Sequence, residues 1–73
     1  MTIYTLMNKV HTLGNKVALA ASCYREGKTF YADFECEALA SLSTLLDIDY
    51  ITLAEYRELA DQLHHVFRMY KRH

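Results

Sequence analysis

His64 and His65 stand side by side, with Asp61 four residues before His65, and these groups are where the chain first suggests metal chemistry. Adjacent helical residues point about 100° apart, so the two imidazoles cannot readily close on one tetrahedral ion. Asp61 and His65 share a face, but two ligands are too few for a structural zinc site, and the pair reads as an i, i+4 surface contact. Cys23, Cys36 and His11 have no recognised ligand spacing, and the thiols read as buried or half-buried side chains. No metal or cofactor is expected.

Covalent catalysis needs a nucleophile, a base and an orienting group around a pocket. Ser22, Ser41 and Ser43 lie in helical patterns with no such signature nearby, and Gly14 and Gly27 stand alone rather than in a phosphate-cradling loop. Glu35 is the one carboxylate within an otherwise apolar arc. Buried, it could serve as an acid of raised pKa; the favoured reading places it exposed in a first helical turn, where the helix dipole suits it. The expectation is a protein that is not an enzyme.

The chain has 73 residues, 52% of them apolar, which suits one domain over 1–73 and excludes a disordered tail. So small a core is marginal alone, which favours unusually good packing, a staple or a partner. Lys and Arg number 8 against 9 Asp and Glu. The charge is uneven. Residues 1–24 carry only Lys9 and Lys16, whereas the stretch from Arg25 to Tyr50 holds six carboxylates against Arg25 and Lys28. That acidic middle disfavours nucleic acid as a partner. Two thiols without a secretory signal point to a reducing cytoplasm, and the longest wholly apolar run, Val17 to Ala21, is too short for a membrane.

Proline is absent, and helix is the expected state throughout. Ile3, Leu6, Val10, Leu13, Val17, Ala20 and Tyr24 alternate by three and four, keeping one stripe on one face of a helix predicted over 2–26. Gly27 follows where a left-handed cap is wanted. A second helix is predicted over 33–47, with Phe34, Ala38, Leu39, Leu42, Leu45 and Leu46 on one arc and Asp33, Glu37, Ser41, Thr44 and Asp47 opposite. A third is predicted over 52–71. Thr52 and Glu55 form a capping box, Ile51 and Tyr56 a hydrophobic staple, and Leu53, Tyr56, Ala60, Leu63, Phe67 and Tyr70 continue the alternation. Arg68, Lys71 and Arg72 suit the negative end of the dipole. The fold class is all-α, a three-helix bundle. The alternative is α+β, with a hairpin over 17–34 turning at Arg25–Lys28, because Thr29, Phe30, Tyr31 and Phe34 suit a strand.

The run from Leu42 to Leu53 resembles the helix-turn-helix pattern, with Ser43 as its small residue and Asp47 in place of the turn glycine. The resemblance implies a DNA-binding regulator built on residues 39–60, its second helix entering the major groove with Thr52, Glu55 and Arg57 toward the bases. Glu55 and Glu58 there, with Asp47 and Asp49 behind them, oppose phosphate, and the pattern covers about a sixth of the chain. An ordinary corner between packed helices accounts for the same residues.

Beside its core stripe, the first predicted helix carries Tyr4, Asn8, His11, Asn15, Leu19 and Ser22 on an uncharged face. Solvated helices normally show Lys and Glu there, while loss of charge with retained aromatics characterises the core of interfaces. Gly14, Ala18 and Ala21 edge the stripe with small residues that would let another helix backbone approach. Tyr50 and Met69 are further surface candidates. The expectation is a non-enzymatic protein-interaction or regulatory module, a homodimer joined through this helix into a larger bundle or bound to another protein. Such a short chain opening on Met has the size of accessory proteins carried by phages and plasmids.

Overall fold

In the computed structural model, which describes residues 1–71, Thr2 opens the first helix by accepting a hydrogen bond from the Thr5 amide at 3.2 Å. Four helices follow: α1 (Ile3–Lys9), α2 (His11–Glu26), α3 (Tyr31–Asp47) and α4 (Leu53–Lys71). Among the described residues there is no strand. The all-α class therefore holds, and the hairpin over 17–34 is replaced by the last turns of α2, a short turn and the start of α3. Arg72 lies outside the described residues.

The single helix expected over 2–26 is two helices, broken at Val10, whose backbone is extended (φ −110°, ψ 93°). No proline or glycine at position 10 announces the break. It is decided by packing, since the turn at Val10 lets α1 lean against both α2 and α4 and bury Ile3 and Leu6. Gly14 makes the lean possible. A Cβ added there would lie 2.7 Å from the Met7 carbonyl oxygen, closer than real Cβ atoms come, so the first turn of α2 accepts α1 only because residue 14 has no side chain.

Gly27 ends α2 in the left-handed conformation (φ 70°), and the Lys28 amide reaches the Cys23 carbonyl at 2.9 Å while the Gly27 amide reaches Tyr24 at 3.3 Å. That is a Schellman closure. The end of α3 repeats it without glycine: Asp49 has φ 60°, the Tyr50 amide bonds to the Leu45 carbonyl at 2.9 Å, and the Asp49 amide to Leu46 at 3.1 Å. The left-handed residue of this corner is thus Asp49, not Asp47, which still belongs to α3. α3 itself starts at Tyr31, two residues earlier than expected.

α4 begins with the expected capping box. The Thr52 amide donates to Glu55 Oε1 at 2.9 Å and the Glu55 amide to Thr52 Oγ1 at 3.2 Å. Behind it Ile51 is buried and Tyr56 packs on the core. The broadest helix contact is α2 on α3, with α4 laid across both. Leu6, Leu13, Leu42, Leu59 and Leu63 are fully enclosed at the centre, so truncating any of them to Ala costs about 2–5 kcal/mol. The stripe read from sequence survives the break at Val10. Leu53 departs from its own: it remains 53% exposed, because Ile51 takes the buried place at that corner.

Candidate interaction surface

Five of the six residues expected on the uncharged face, Tyr4 and Asn8 on α1 with His11, Asn15 and Leu19 on α2, are exposed. Tyr4 and Leu19 carry most of its apolar area, at 55% and 44% exposure. Ser22 is half-buried and accepts a hydrogen bond from Arg25 Nη2 at 3.2 Å. From Tyr4 to Leu19 the exposed residues bear one formal charge, Lys9; Lys16 is half-buried and turned to α3, where it pairs with Glu37 at 3.1 Å. The helix break divides the face, placing Tyr4 and Asn8 on one short rod and the rest on another.

Two shallow apolar grooves flank the face. One lies between the start of α1 and α4, lined by Ile3, Tyr4, Asp61, Gln62, His65 and Val66. The Ile3 amide donates to Gln62 Oε1 at 2.7 Å on its floor. The other lies toward the C-terminal ends of α2 and α4, where Ala18, Ala21, Ser22 and Arg25 face Tyr70. Ala18 and Ala21 thus border an open groove. Gly14 does not join them, because what approaches it is the backbone of α1.

A network missed by sequence reasoning ties α2, α3 and α4 together. Glu35 is not an exposed first-turn carboxylate: its side chain is 17% exposed, receives a hydrogen bond from the Tyr24 hydroxyl and pairs with Lys71 Nζ at 3.5 Å. The Lys71 ammonium also lies 5.5 Å from the ring centre of Tyr31 and 6.0 Å from that of Tyr24, within cation–π range. Tyr24 meets Tyr31 at 4.6 Å and Tyr70 at 6.5 Å between ring centres. Burial, then the bond to the Glu35 carboxylate, push the Tyr24 phenol well above its ordinary range. The one available signal was the spacing of Tyr24, Tyr31 and Glu35 about the Gly27 turn, and it becomes meaningful only once that turn folds α3 back along α2.

The other chemical candidates do not converge. Asp61, His64 and His65 are exposed, and among the described residues no three His, Cys, Asp or Glu side chains are placed to hold a metal ion. Cys23 is buried, Cys36 is exposed, and both are free thiols. At the α3–α4 corner, Thr52 and Glu55 are committed to capping, and the Glu55 carboxyl is held below the usual carboxylate range chiefly by the Thr52 amide. Arg57 is exposed. Beside them Ile48 and Tyr50 join Leu53 as an exposed apolar corner, of which sequence reasoning had singled out only Tyr50. Met69, the other such candidate, is exposed on α4. No helix among the described residues is long and apolar enough to cross a membrane.

No family model matches the sequence, no characterised relative matches it, and no solved structure matches the fold.

Proposed function

We propose that the chain is a small non-enzymatic helical module that acts by binding protein, pairing with a second copy through the α1–α2 face and occluding or scaffolding a partner in a reducing cytoplasm. The observation that carries this reading is the exposure of Tyr4 and Leu19 on a surface with one formal charge among its exposed residues. Tyrosine is enriched at interface centres and charge is depleted there. The grooves beside the face add relief into which a partner's side chains can set.

The test is light scattering coupled to size exclusion across a concentration range. Wild-type protein is expected to show mass rising above the monomer, whereas Tyr4→Glu and Leu19→Glu together hold it at one copy with unchanged helicity by circular dichroism. A wild-type chain that stays monomeric at high micromolar concentration and captures no protein through this face ends the reading.

A further inference from the structure

The break at Val10 is poorly supported by its own residues. α2 starts without a side-chain cap and without an acidic residue in its first turn. The backbone ladder is interrupted between the Val10 amide, which bonds to Leu6 at 2.8 Å, and the Gly14 amide, which bonds to Val10 at 3.1 Å. The amides of His11, Thr12 and Leu13, which a continuous helix would pair with Met7, Asn8 and Lys9, form no backbone bond across the break. A β-branched residue holds the turn, and the Met7 carbonyl crowds the place of a Gly14 side chain. Meanwhile the apolar alternation runs from Ile3 to Tyr24 without a phase shift, as it would on one straight rod.

What holds α1 back is the burial of Ile3 and Leu6 and the bond from Ile3 to Gln62. Each of these can be made equally well by the same residues of a second copy. We infer that α1 is an exchangeable arm: Val10 straightens, α1 and α2 become one helix of about 36 Å, and α1 of each copy docks in the site on the other that α1 now fills on its own chain. The exchange restores three backbone hydrogen bonds per chain and re-forms the burial of Ile3 and Leu6 between copies. It also returns Tyr4, Asn8, His11, Asn15 and Leu19 to one uninterrupted face. Short hinges between elements are the setting in which identical elements swap between protomers. This inference rests on the self-association reading above and specifies its route.

Two substitutions push the hinge in opposite directions. Residue 14 is helical in both forms, so Gly14→Ala acts through its clash with the Met7 carbonyl in the broken form alone, and dimerisation should strengthen about 30-fold, the square of a roughly fivefold overpacking penalty lifted in each chain. His11→Pro suits the first position of α2 and the extended Val10 before it, but interrupts a continuous helix, so dimerisation should fall by over roughly 100-fold while the monomer stays folded. His11→Ala controls for the imidazole and should dimerise like wild type. In the Gly14→Ala dimer, isotope-filtered contacts should join Ile3 of one labelled copy to Val66 of the other. If His11→Pro dimerises as wild type does while Tyr4→Glu with Leu19→Glu does not, copies pair face to face without exchange, and the swap is wrong though the surface reading stands. If Gly14→Ala is merely a less stable monomer, the swap is equally overturned. Should wild type and all variants remain monomeric, self-association fails with it.

Discussion

The Ile3 amide donates to the side-chain carbonyl of Gln62 at 2.7 Å, joining the first turn of α1 to the middle of α4. The two residues are 59 positions apart, and the bond satisfies one of the amides that every helix start leaves unpaired. It also sets where α1 lies along α4, and hence which residues of α1 reach the core.

Gln62→Leu should therefore lower stability by about 1 kcal/mol, the net worth of a half-buried hydrogen bond. Gln62→Glu keeps an acceptor in place and should lose less. Urea unfolding followed by circular dichroism at 222 nm checks both, with a loss in Gln62→Leu well below that of Leu6→Ala as the expected order.

Asp49 does the work at the end of α3 that Gly27 does at the end of α2, but with a side chain on a left-handed backbone. Asp tolerates this conformation better than most residues and Gly better still. Asp49→Gly should raise stability by about 0.5–1 kcal/mol and Gly27→Ala lower it by about 1 kcal/mol. Open space around Gly27 means that any loss there comes from the backbone and not from a clash. Thermal melts of the two variants should move in opposite directions.

Tyr24 makes stability pH-dependent in the alkaline range. Its phenol ionises at higher pH in the fold than in the unfolded chain, where tyrosine titrates near 10, because burial and the Glu35 carboxylate disfavour the phenolate. The contribution is therefore complete below about pH 10 and declines as the pH rises from there toward the folded value. Tyr24→Phe removes both the bond and this decline. At neutral pH it should be the less stable protein by about 1 kcal/mol, and its deficit relative to wild type should shrink between roughly pH 9 and pH 11. A deficit that stays constant over that range would show the hydroxyl to be uncoupled from Glu35.

The local half of this architecture was legible because it is written in local signals. Thr52 and Glu55 cap α4 through contacts three residues apart, Gly27 stops α2 because no other residue takes φ 70° at so little cost, and the three-four alternation names the buried face of each helix. Leu53 shows the limit of the pattern. It obeys the alternation, yet whether its face is covered depends on where Ile51 and the end of α3 lie.

What the sequence by itself determined is helical state, core stripe and caps, since each depends on residues within about one turn of one another. Only the tertiary structure decided the break at Val10 and the partnership of Tyr24 and Glu35 with Lys71. The reason is the same in both. Where local preferences are nearly balanced, or are silent, the free energy of burying Ile3 and Leu6 or of satisfying a half-buried carboxylate outweighs them, and those terms exist only between residues that folding brings together.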